Sequence, residues 1–92
     1  MKDTLYLIDG TTKEVSPKNG KTYSLDELQE FVGGYIEIIT KPDGSQMMVV
    51  NEEGKLEGLH YNLNATHVFL GWGYSNDYIA GNALVCDANH IK

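Results

Sequence analysis

These 92 residues contain no arginine: the seven cations are all lysines, set against thirteen carboxylates for a formal charge of −6. Binding a nucleic-acid backbone needs a cationic footprint, and arginine is the usual fork for bases and phosphates, so direct DNA or RNA binding is not expected. With a single cysteine, Cys86, no internal disulfide can form, which suits a reducing compartment. The opening MKDTLYLIDG has only a short apolar run, so neither a signal peptide nor a membrane-spanning segment is expected. Three histidines (His60, His67, His90) lack metal-ligand spacing, and zinc needs three or four oriented ligands, so no metal site is expected. No cofactor is expected either. The two prolines, Pro17 and Pro42, both fall in turn-like clusters.

What is present is strong local punctuation in a chain of single-domain length, residues 1–92. Thr4–Ile8 is a β-rich run closed by Asp9-Gly10, and Lys13-Glu14-Val15 offers a short, edge-like partner strand. Ser24 and Glu27 form the S-x-x-E capping box of a helix with an apolar face of Leu25, Leu28, Phe31 and Val32, stopped by Gly33-Gly34. Tyr35–Thr40 and Gln46–Val50 flank a Pro-Asp-Gly turn and read as a hairpin. The flat edge of Gln46–Val50 would suit a symmetric homodimer. Asn51–Gly54 is a further turn, with Leu56 and Leu59 expected to anchor an irregular crossing. Residues 62–70 fit a short helix capped by Asn62 or a strand, and the helix is favoured. Ala83–Cys86 reads as a last strand. The expected fold is α+β: one capped helix and a short second helix on one face of a small mixed sheet of four to five strands, with a β-grasp-like arrangement as one option.

Catalytic chemistry finds little support. Cys86 sits in an apolar run with no adjacent base, and Glu52 and Glu53 point in different directions from a turn, so no enzyme is expected. The amide-rich set Asn51, Asn62, Asn64 and Asn82, with His60, Tyr61 and Thr66, is the expected ligand-binding cluster, because an amide both donates and accepts. Turn and cap duties for Asn51 and Asn62 are the alternative. Trp72, in the glycine-hinged loop Gly71–Asp77, would close over a planar ligand or fill the core. Residues 26–57 carry eight carboxylates against Lys41 and Lys55, and Glu30, Glu52, Glu53 and Glu57 would form an acidic face for a basic partner.

The run Leu25-x-Glu27-Leu28-Gln29-x-x-Val32-Gly33-Gly34-Tyr35-Ile36-Glu37 resembles a known family. So do Val50–Leu56, Gly58-Leu59, Asn62, Ala65-Thr66 and Ile79-x-Gly81–Val85. Over about residues 24–86 the chain is similar to the family called domain of unknown function 3846, small proteins of bacteria, phages and mobile elements. That family has no established catalytic residues to carry over. Its members often place proline where this chain has His60 or Tyr61, and an arginine-bearing pair where this chain has Leu63-Asn64. An anion contact through that arginine is therefore missing here.

The resemblance implies a phage or mobile-element accessory protein in the bacterial host cytosol. From the residues, the first expectation is a non-catalytic binder of a nucleotide-like small molecule, held between the amide loop and Trp72 and countering host defence signalling. The alternative is an acidic interaction module that docks on a basic host protein, in the manner of anti-restriction or anti-CRISPR mimics.

Overall fold

Two apolar runs, Met47–Val50 and Ala83–Cys86, lack the alternation of a strand with one wet face, and the computed structural model, which describes residues 2–92, shows why. They lie in the strands β4 (Gln46–Asn51) and β5 (Ala83–Asp87), which are covered by a helix on each face of the sheet. A strand buried on both faces needs apolar residues at every position. The preceding elements are β1 (Asp3–Tyr6), β2 (Thr12–Val15), α1 (Leu25–Val32) and β3 (Ile36–Thr40), and α2 (Leu63–Gly71) joins β4 to β5. A 3₁₀ turn, Ala88–His90, follows β5.

The sheet order is β2-β1-β5-β4-β3, and every neighbouring pair is antiparallel. The expected mixed sheet is thus not formed. Tight turns make β1–β2 and β3–β4 antiparallel hairpins. The last strand then inserts between β1 and β4 and opposes both. The β-grasp-like option fails for the same reason, since it requires the first and last strands to run parallel. Nor do both helices share a face: α1 covers Leu5, Val49, Leu84 and Cys86, whereas α2 covers Met48, Val50, Ala83 and Val85.

Helix α1 begins as its sequence predicts. The Ser24 hydroxyl accepts from the Glu27 N–H at 3.1 Å, and the Glu27 carboxylate accepts from the Ser24 N–H at 2.8 Å. Gly33 ends it at φ 79°, a left-handed conformation that glycine adopts without a Cβ clash. Leu28 and Val32 are buried, but Leu25, expected on the same apolar face, is 58% exposed and lies outside the buried face. Residues 62–70 resolve as helix, with the Asn62 side chain accepting from Ala65 N–H. Leu59 is half-buried, while Leu56 is 86% exposed and anchors nothing.

Gln46–Val50 is also not an edge. It lies in β4, between β5 and β3, and the free edges belong to β2 and β3. Dimerisation through Gln46–Val50 is therefore blocked by this chain's own β5. Among the described residues, no helix is long and apolar enough to cross a membrane.

Cys86 is fully buried, and its thiol is pushed up from 9.0 to about 12 by burial first and by the Asp3 and Asp87 carboxylates next. Tyr23 is raised far above 10, by burial and then by its hydrogen bond to Asp3. Both groups hold their protons in the folded state at pH values where the unfolded chain releases them. Their stabilisation is intact below about pH 9 and is lost as pH rises through the folded values. Stability should therefore fall by up to about 1.4 kcal/mol per pH unit for each group, beginning above pH 9 for Cys86 and above pH 10 for Tyr23. Urea titrations between pH 8 and pH 11 test this, and Cys86→Ala should flatten the first part of the decline. A flat profile in the native protein would contradict it.

Candidate functional site

The asparagines expected to read a ligand all have partners within the protein. Asn62 is 1% exposed. Its Oδ1 accepts from Ala65 N–H at 3.1 Å, and its Nδ2 donates to the Tyr6 carbonyl at 3.0 Å and the Gly81 carbonyl at 2.9 Å. Asn51 is also buried; its Oδ1 accepts from Glu53 N–H at 2.8 Å, and its Nδ2 donates to the Val32 carbonyl at 3.3 Å. Asn82 accepts from Ile8 N–H at 3.0 Å, and Asn64 donates to the Gly10 carbonyl at 3.2 Å. Thr66 is buried, and its hydroxyl accepts from Ile79 N–H at 2.9 Å. These side chains bond backbone groups at helix ends, turns and irregular segments. Asn51 and Asn62 thus perform the turn and cap duties that the alternative gave them.

The remaining predicted residues are dispersed. His60 lies with Asn82 and Glu30 in a recess of about 350 Å³ beside α1. Glu53 and Glu57 line a separate recess with Tyr35, and Glu52 lines a third. Tyr61 is half exposed, with its ring 5.6 Å from that of Tyr78. Trp72 caps the end of α2 and packs against the core beneath it.

Of the expected amide cluster, only Asn51 lines the recess with the densest chemistry. This recess measures about 310 Å³ and lies between β3, the turn after β4, and the loop that follows α2. Gly54 lets that turn reach the loop: a Cβ there would sit 2.8 Å from the Ala80 carbonyl oxygen. Tyr74, rather than Trp72, is the loop aromatic in the wall. Its ring stacks on Phe69 at 5.0 Å and 9°, and its hydroxyl donates to the Thr40 carbonyl at 2.5 Å. Tyr78 forms another wall, and Glu37, Glu52 and Asp77 bring three carboxylates to the lining.

The one lysine in this lining, Lys55, lies 4.6 Å above the Tyr78 ring and pairs with Asp77. That ammonium first, and the Tyr78 N–H next, hold the Asp77 carboxyl below the usual carboxylate range. An aromatic face with an adjacent carboxylate is a receptor for an ammonium or guanidinium group. Of these residues, Glu52 was among the acidic-face candidates and Tyr74 and Asp77 fell in the loop 71–77, while Lys55 and Tyr78 were not expected to line a site. Glu37 read as an ordinary strand position, and its place in the wall follows from the outer position of β3.

A second polar cluster lies at the opposite face. The buried Asp3 carboxylate accepts from the Tyr23 hydroxyl at 2.6 Å and from Asp87 N–H at 3.0 Å, and lies 2.7 Å from His90 Nδ1. It joins the two ends of the described chain through one side chain.

Searches of curated proteins and of solved structures found no match. One family model matches residues 1–91, a longer span than the stretch that carries the resemblance in the sequence. The chain therefore belongs to the family described as Domain of unknown function (DUF3846).

Proposed function

We propose that this protein is a non-catalytic interaction module whose aromatic, acid-lined recess receives a lysine or arginine side chain of a basic partner protein. The carrying observation is Lys55: an ammonium from the chain itself already rests on Tyr78 and Asp77, while Glu37 and Glu52 extend the same negative lining. The formal charge of −6 would favour encounter with a basic surface. A nucleotide-like ligand would bring phosphate to three carboxylates in this recess, and the amides expected to read it are hydrogen-bonded to backbone. An acidic module is therefore preferred, though of the four expected face residues only Glu52 lines the recess and Glu30, Glu53 and Glu57 lie outside it. A basic host protein engaged by a phage or mobile-element factor is its natural setting.

Calorimetric titration with a lysine- and arginine-rich peptide should show binding that weakens steeply between about 0.05 and 0.5 M salt. The double substitution Glu37→Gln, Glu52→Gln should weaken it at least about tenfold. A thermal shift with a nucleotide and none with the basic peptide would return the reading to the small-ligand binder.

A further inference from the structure

Building on the cation-receiving recess, we infer that the partner supplies its basic side chain from an extended segment that adds to the free edge of β3. The backbone pattern fixes which groups are available. Glu52 N–H donates to the Tyr35 carbonyl at 2.9 Å, and Lys41 N–H donates to the Gln46 carbonyl at 3.0 Å. Hydrogen-bonded and non-hydrogen-bonded pairs alternate along an antiparallel ladder. Tyr35, Glu37, Ile39 and Lys41 therefore turn their backbone groups toward β4, and Ile36, Ile38 and Thr40 turn theirs outward. The Thr40 carbonyl is taken by Tyr74, which leaves the N–H and C=O of Ile36 and Ile38 and the N–H of Thr40 facing away from the sheet.

The two sheet edges differ in how they are guarded. β2 carries Lys13 and Glu14, charges that discourage strand addition, while a proline follows each edge strand two residues on, Pro17 after β2 and Pro42 after β3. β3 is Ile-Glu-Ile-Ile-Thr, with no lysine or proline, and Ile38 is 40% exposed. Its one charge, Glu37, is on the side of the acidic recess, together with Ile39. Ile36 packs on the opposite side, toward α1.

Side chains of an added strand alternate between these two sides. Residues on the recess side would lie beside Glu37, within the field of Glu52 and Asp77, and select lysine or arginine. Residues on the other side would cover Ile36 and Ile38 and select apolar groups. The partner sequence is therefore an extended run with basic and apolar residues in alternation, recognised by strand addition. A second copy of this chain is disfavoured as the occupant, because it would bring a second charge of −6 to the same edge.

The test uses a peptide of alternating lysine and valine, a scrambled peptide of the same composition, and the alternating peptide with its edge-pairing amides N-methylated. Amide hydrogen exchange with the alternating peptide should add protection at Ile36, Ile38 and Thr40 and change little at Glu37 and Ile39, which already bond to β4. Scrambling, N-methylation and the substitution Ile38→Pro should each lower affinity about tenfold or more. Proline at position 38 removes only an outward N–H, a place where an edge strand tolerates it. Circular dichroism checks that this variant is folded, and the N-methylated peptide needs no variant at all. Equal binding of the N-methylated peptide, with no new protection at Ile36 and Ile38, would overturn strand addition. If that binding still required Glu37 and Glu52, the cation-receiving recess would stand. Loss of dependence on both carboxylates would overturn the recess itself. Concentration-dependent dimerisation that protects the same amides without peptide would also overturn the inference, in favour of self-pairing.

Discussion

Asn62→Ala should destabilise the fold by about 3–5 kcal/mol, a large part of what a domain of this size has to lose. The residue is almost fully buried, and one amide holds three segments: the end of β1 through Tyr6, the start of β5 through Gly81, and the first turn of α2 through Ala65. Truncation leaves two carbonyls and one N–H to find partners where little water reaches. Each such group costs about 1–3 kcal/mol when buried without a partner. Asn62→Asp separates the contributions. It keeps an acceptor for the helix cap but sets a carboxylate against two carbonyl oxygens, so it should be no milder than alanine. Urea unfolding at neutral pH measures both, and a loss under about 1 kcal/mol for alanine would show that the neighbouring segments close over the gap.

Asp3→Ala is expected to cost a similar amount, about 3–5 kcal/mol, for a different reason. Asp3 is a buried charge whose oxygens are shared among the Tyr23 hydroxyl, Asp87 N–H and His90. Its removal strands a phenol in the core under α1 and an N–H at the end of β5, and it frees the C-terminal turn from β1. Tyr23→Phe removes one donor and keeps the ring against Phe31, so it should cost less, about 1.5–3 kcal/mol. The order Asp3→Ala above Tyr23→Phe in urea unfolding is the decisive comparison. Equal effects would mean that the carboxylate acts through the tyrosine alone.

Neither residue could be ranked this way from the sequence. Asn62 was legible as a helix cap, because a cap involves residues three positions apart. Its two carbonyl partners are 56 and 19 positions away in the chain. Asp3, Tyr23 and His90 looked unrelated until β1 and β5 became neighbours. The recess has the same history. Its loop was noticed for Trp72, but the wall is formed by Tyr74 and Tyr78, and its acidic side depends on Glu37 reaching it from the outermost strand.

The chain's local sequence determined what short-range physics controls: the Ser24–Glu27 capping box, the Gly33 stop, the Pro-Asp-Gly hairpin, the apolar runs of β4 and β5, and a negative charge without arginine. These depend on neighbours within a few residues, or on composition alone. Tertiary structure decided the rest. Continuous apolar runs leave strand order and direction open, so only the insertion of β5 between β1 and β4 made the sheet wholly antiparallel, placed the helices on opposite faces and moved the free edge from Gln46–Val50 to β3. The same insertion brought the Asn62 amide within reach of the Tyr6 and Gly81 carbonyls. It left carboxylates and tyrosines, contributed by segments far apart in the chain, to form the surface on which Lys55 rests.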